Sequence, residues 1–269
     1  MNKIIKLSII SLITLLFSSC ASGLLSGKMS AKQESALGAQ QEKKILSSSK
    51  LSNNPRLKSM LFRVGKRIAL VSNRPQYKWR FHLIESKQAN AFVLPGGKVF
   101  VYTGLFKYAS NDAELASVIG HEVAHALKSH GVKGASRQQK AGLLGVALKV
   151  GMGAMGVNSS TAQTVNTVYG QGASLGYIKP HSRTQELQAD SIGLMLMAKA
   201  GYNPHSALSF WRKFSKAGRS VSEFLSTHPA PKNRIRNINK FIERHLCHNS
   251  LANILALSNP YFSKVKLLE

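Results

Sequence analysis

His121-Glu122-Val123-Ala124-His125 is the stretch of this chain best suited to chemistry. On a helix, four steps return to nearly the same face. His121 and His125 therefore present two imidazoles one turn apart, a spacing that suits two ligands of a tetrahedral zinc. Glu122 projects toward a neighbouring face, placed to take a proton from water that zinc brings to a pKa of about 7. The competing reading is two surface histidines on an ordinary helix. A catalytic zinc needs a third protein ligand, and the segment SRTQELQADSIG (182–193) offers Glu186 and Asp190, four apart on one helix face. Glu186 completes a His-His-Glu site with the fourth position open to water; alternatively it is a solvated charge paired with Arg183. Asp190, one of only two aspartates, then accepts a hydrogen bond from the other nitrogen of a ligand histidine, expected to be His121. The expected cofactor is a single Zn2+ per chain; other divalent metals also suit such ligands.

These side chains need elements to hold them. Residues 31–46 read as an amphipathic helix carrying Leu37 and Ile45. Leu57, Leu61, Val64 and Ile68 recur every three or four residues, giving a helix opened by Asn54-Pro55 and closed by Asn73-Arg74-Pro75. Tyr77, Trp79, Phe81 and Leu83 alternate with polar residues as in a half-buried strand. Residues 91–102 read as a hairpin turning at Pro95-Gly96-Gly97, followed by a helical turn at 103–108. Asn111 caps the helix that carries HEVAH to about Ser129, with Glu114 at the third position of a capping box. Five glycines punctuate residues 142–156, and no acidic residue lies between Glu122 and Glu186. That stretch reads as loosely helical beside the cleft. Helices are expected at 184–200, 204–217 and 232–246. The expected class is α+β, predominantly helical, with a small sheet at the active-site cleft.

The N-terminus carries Lys3 and Lys6 before the apolar run Leu7–Phe17, about the length of a signal-peptide core and too short to favour a spanning helix. Ser18-Ser19-Cys20 resembles a bacterial lipobox, with Phe17 where leucine is usual. This marks residues 1–19 as a lipoprotein-type signal peptide, Cys20 as the lipidation site and 20–30 as a tether. Ordinary secretory cleavage, giving a soluble periplasmic protein, is the alternative. Residues 31–246 form the expected metallopeptidase domain and 247–269 a tail. Cleavage before Cys20 leaves Cys20 and Cys247 as the cysteines, with Cys247 the only free thiol once Cys20 is lipidated, so an oxidising compartment brings no intrachain staple. A net charge of +26 draws the chain to anionic surfaces. No helix-turn-helix, zinc-finger or RNP signature accompanies it, so nucleic acid is not expected; an anionic membrane surface is. A generally basic proteome accounts for the charge equally well.

NAFVLPGGKVFVYTGL (90–105), HEVAH, the E-x-x-A-D of Glu186 to Asp190 and STHPAPKNRI (226–235) occur in that order. Together they resemble the membrane-associated zinc metallopeptidases that include BepA, LoiP, HtpX and the CAAX prenyl protease, over roughly residues 31 to 245. The lipobox favours the periplasmic LoiP-like and BepA-like branch, without a tetratricopeptide domain. The resemblance implies a zincin-like (gluzincin) domain. It implies an endopeptidase that cleaves misfolded or stalled envelope proteins, outer-membrane β-barrel precursors among them, lipid-anchored at the outer membrane and facing the periplasm. Outer-membrane assembly machinery is an implied partner. His228 matches a family histidine near the metal, either binding the tetrahedral oxyanion or sitting on the zinc at rest. Arg234 matches a family arginine that steadies a carboxylate ligand or helps the transition state. Asn90, Ala91 and Phe92 match an edge strand to which an extended substrate adds. His181 stands where relatives have an aromatic residue; it reads as a loop histidine, with a pH-sensitive gate or an alternative ligand as the other readings. His130 reads as a helix-end histidine off the ligand face. A chaperone that binds unfolded chains at the edge strand without cutting them, and a basic envelope-binding protein with an incidental histidine helix, are the rival functions.

Overall fold

The computed structural model describes residues 30–134, 180–228 and 233–246. Cys20, the expected signal peptide and tether, the glycine-rich 141–176 section and the 247–269 tail lie outside them. The described chain is mostly helical, with one small sheet.

Helix α1 (Ala31–Ser48) buries a polar stripe of Glu34, Gly38, Gln41 and Glu42. Leu37 and Ile45, expected to anchor it, are only half-buried. Ile45 and Leu46 pack against Ile84, Phe92, Leu94 and Phe100, and carboxylates add to that hold. Glu34 accepts from the Tyr77 hydroxyl and from Ser129 Oγ at 2.5 Å. Glu42 pairs with His82 Nε2 at 2.7 Å and with Arg80 at 3.2 Å. Helix α2 (Pro55–Val71) starts where expected: Asn54 Oδ1 accepts from Leu57 N–H at 3.1 Å. Its apolar face is buried to Ile68 and Ala69.

Strand β1 spans Arg80–Ile84, β2 Ala91–Leu94 and β3 Lys98–Tyr102. Tyr77 and Trp79 are buried as expected but precede β1 in a turn, because β3 offers partners only from Arg80 onward. The hairpin β2–β3 is antiparallel, and Gly96 (φ 72°) and Gly97 (φ 86°) carry its turn through the left-handed region. β1 pairs with β3 in parallel, so the order is β1-β3-β2.

After a 3-10 turn (Thr103–Lys107) comes α3 (Asp112–Leu127). Asn111 Oδ1 accepts from Glu114 N–H at 2.9 Å, but the Glu114 carboxylate does not complete a capping box. It accepts from Ser110 N–H and Oγ and from Lys213 Nζ at 2.6 Å. Helix α3 is buried on nearly every side, which marks it as the central helix of the core. It ends at Leu127, earlier than expected, and Ser129 breaks it at φ 51°.

Helix α4 (Arg183–Lys199) opens on a full capping box between Ser182 and Gln185. It stops before Gly201, which sits at φ 75°. Helix α5 (Ser206–Ser215), a 3-10 turn (Gly218–Val221), α6 (Ser222–Thr227) and α7 (Arg234–His245) complete the described chain. The turn and α6 have no counterpart in the sequence reading.

Helices α3 and α4 touch backbone to backbone. A Cβ on Gly120 would lie 2.9 Å from the Gly193 carbonyl oxygen, and one on Gly193 would lie 2.9 Å from the His121 amide nitrogen. Only hydrogen at both positions permits this approach, and it brings Glu186 and Asp190 to the histidine face of α3.

Candidate metal centre

Helix α3 supplies His121, Glu122 and His125, all buried. Helix α4 supplies Glu186, with no exposed surface, and Asp190. His228 follows α6 and Arg234 opens α7.

Four ligand atoms, from His121, His125, Glu186 and His228, lie within 4.8 Å of one another. His121 Nε2 is 3.0 Å from His125 Nε2 and 3.4 Å from His228 Nδ1. Glu186 oxygens lie 3.3 Å from each of the three histidines. A tetrahedron with bonds of about 2.0–2.1 Å has edges of roughly 3.3–3.4 Å, and these separations of 3.0–3.4 Å are of that size. Buried oxygens point the same way. Glu186 Oε2 and Glu122 Oε1 make no hydrogen bond among the described residues, their nearest donors standing off at 3.3–3.5 Å, so each buried carboxylate keeps lone pairs for a cation. The donor set fits a metal ion.

Around the four ligands, Asp190 Oδ1 accepts from His121 Nδ1 at 2.9 Å and from Arg234 Nη2 at 2.5 Å. Arg234 Nη1 lies 3.5 Å from Glu186 Oε2, and the guanidinium stacks 3.6 Å above the Trp211 ring. Its charge thus leans on both carboxylates while its flat face is covered by an indole. His228 stacks on Phe224 at 4.4 Å and turns Nε2 toward Glu122 Oε1 at 3.5 Å.

The electrostatics follow from burial and charge. Burial pushes the Glu122 carboxyl above its ordinary pKa, and Glu186 adds to the push against His228, His121 and Arg234. Burial also opposes charge on His121, but the Glu186 and Asp190 carboxylates outweigh it and raise its pKa to about 9. Burial takes His125 well below the ordinary imidazole value. Burial, reinforced by His228, lowers His181 to about 3. Glu186 is held far below the usual carboxylate range, because His121, His125 and His228 outweigh its burial.

Three residues read from the sequence as peripheral, or not at all, belong to this cluster. His181 stacks on His125 with ring centroids 3.9 Å apart, and its backbone N–H donates to Thr227 O. It is not among the four clustered ligands. His130 is not a dipole-favoured helix end: it is buried, with Nδ1 2.9 Å from His125 Nδ1. It lies beyond the break at Ser129, so helical periodicity does not apply to it. Trp211 has no mark in the sequence at all; the structure sets its ring under the Arg234 guanidinium. Asn90, Ala91 and Phe92 lie at and just before the start of β2, an outer strand of the sheet packed beside α3. All three residues are buried, and the Phe92 ring stacks on Phe100 at 4.9 Å.

The model of peptidase family M48 matches residues 55–242. The mitochondrial metalloendopeptidase OMA1 of Saccharomyces cerevisiae is 34% identical over 177 residues, 62% of this chain and 48% of the relative. Its Schizosaccharomyces pombe counterpart is 37% identical over 184 residues, 67% of this chain and 51% of the relative. The Beta-barrel assembly-enhancing protease of Yersinia pestis is 29% identical over 254 residues, 89% of this chain and 49% of the relative. The chain spans about half the length of these curated relatives.

Proposed function

The chain belongs to peptidase family M48, and on that premise we propose that it is a zinc-dependent endopeptidase of zincin-like fold, acting on misfolded or stalled proteins of a bacterial envelope. The observation that carries the reading is the buried set of His121, His125, Glu186 and His228 with Glu122 aimed at it. A zinc ion held there supplies Lewis acidity to a peptide carbonyl and lowers the pKa of water to about 7. Glu122 takes the proton from the attacking water and returns it to the leaving amine; the burial that raises its pKa suits both transfers. His228 has two positions to serve. With Nδ1 3.4 Å from His121 Nε2 and 3.3 Å from Glu186 Oε1, it would help hold the ion in the absence of substrate, and in its presence would donate to the developing oxyanion. Asp190 fixes His121 with Nδ1 protonated and Nε2 bare, and Arg234 holds Asp190 and Glu186 in place. An extended substrate adds to the β2 edge at Asn90, Ala91 and Phe92 through main-chain hydrogen bonds, so side-chain preference is broad.

The envelope location rests on the lipobox-like Ser18-Ser19-Cys20 and on the name of the Yersinia pestis relative, which also supports β-barrel precursors as substrates and assembly machinery as a partner. In this reading residues 1–19 are a signal peptide, Cys20 is the lipid anchor at the outer membrane, 20–30 is a tether, 31–246 is the catalytic domain and 247–269 is a tail. The test is paired. Zinc content and cleavage of an unfolded test protein are measured for wild type and Glu122→Gln. Both are expected to hold about one zinc, with only wild type cutting. Cleavage by both would remove Glu122 from the chemistry. Zinc in neither would end the metallopeptidase reading. Zinc in both with cleavage in neither would favour a binding protein that uses the edge strand without cutting.

A further inference from the structure

His125 needs its Nε2 lone pair free to bind a metal, and something must hold the proton on Nδ1. For His121 the Asp190 carboxylate does so, since it can only accept. Among the described residues His125 faces no carboxylate at Nδ1. Its neighbour there is His130 Nδ1 at 2.9 Å, and two bare nitrogens, or two protonated ones, repel at that distance. The other end of His130 completes the set that a bare His125 Nε2 requires: Nε2 lies 3.0 Å from Gln188 Oε1, and a carboxamide oxygen only accepts. His130 therefore carries its proton on Nε2 and presents a lone pair at Nδ1. That lone pair accepts from His125 Nδ1–H and leaves His125 Nε2 bare, pointing at Glu186 and His121. Reversing the Gln188 amide reverses every step and puts a proton on the nitrogen that must bind the metal.

We propose that Gln188 and His130 form a relay of positioning residues that sets the tautomer and ring angle of His125 for zinc. Helix α4 thus braces the site twice, through Asp190 to His121 and through Gln188 and His130 to His125. The inference rests on the zinc reading given above.

The experiment measures zinc affinity of the full chain by competition with a chelator, apart from any peptidase assay. His130→Phe keeps an aromatic ring of similar size and removes the acceptor; the expected loss is about 10–100-fold, the range for losing an outer partner of a metal-bound histidine. His130→Asn carries an oxygen close to the position of Nδ1 and is expected to recover most of that loss. Gln188→Leu, at an exposed position of α4 where folding is not at stake, is expected to lose several-fold, and Gln188→Glu to restore binding. Equal zinc affinity for wild type, His130→Phe and Gln188→Leu overturns the relay and leaves the metal site standing. His130→Asn no better than His130→Phe also overturns it, since His130 then only fills space. Should His130→Phe fail to fold, the Gln188 pair decides alone. No zinc in wild type defeats the underlying reading instead.

Discussion

A glutamine at position 122 keeps the shape of the glutamate and loses the proton acceptor. Glu122→Gln is expected to cut unfolded protein about 10²–10⁴-fold more slowly with zinc content unchanged, read by single-turnover cleavage and metal analysis. The ligands separate differently. Glu186→Ala removes the one carboxylate that touches all three histidines and is expected to lose the metal. His228→Ala leaves His121, His125 and Glu186, enough for a zinc site, and is expected to keep it; dialysis against a weak chelator separates the two. These residues were readable because each pair shares a helix: His121 with His125, and Glu186 with Asp190. Periodicity fixes such pairs before anything is known of the fold. His130 was not readable, because the left-handed Ser129 turns the chain after α3 and brings it back to His125 outside any helical spacing. His181 and Trp211 reach the cluster by tertiary packing alone. His228 and Arg234 owed their place to family resemblance, with no local pattern to mark them.

Gly120 and Gly193 set how closely α3 and α4 approach, and hence whether carboxylates and imidazoles share one centre. Gly193→Val drives a side chain into the His121 backbone. It is expected to cost roughly 1–3 kcal/mol, read as a lower urea midpoint, and to weaken zinc binding although no ligand is touched. A second prediction concerns how α5 is held to the start of α3. Burial opposes charge on Glu114, but Lys213 and Ser110 outweigh it and lower its pKa. A carboxyl depressed in the folded state stabilises at pH above its ordinary 4.5, and that stability disappears as pH falls through the lower folded value. The gap in urea midpoint between wild type and Glu114→Gln should therefore be full at pH 7 and close in acid. At this scale the helices and the 91–102 hairpin were legible from period and turn residues. The parallel pairing of β1 with β3 was not, because it skips the strand between them. Part of the hold on α1 also escaped: Ile45 packs on the core as expected, but buried Glu34 and Glu42 carry no sequence pattern.

Across the whole sequence, net charge is the dominant property. With +26 net charge, binding to anionic lipid vesicles is expected to weaken steeply as added salt shortens the screening length from about 10 Å at 0.1 M. Among the described residues no helix is long and apolar enough to cross a membrane. On the proposed reading zinc would bind the folded chain and not the dispersed ligands, so a chelator is expected to lower the melting temperature by the same amount in wild type and Glu122→Gln. The ligands stand at 121, 125, 186 and 228, with Arg234 behind them. A ribosome makes them in that order. Glu122 is synthesised more than a hundred residues before His228. On the function proposed above, an enzyme that cuts unfolded polypeptide would lack its full site for as long as it is itself such a polypeptide.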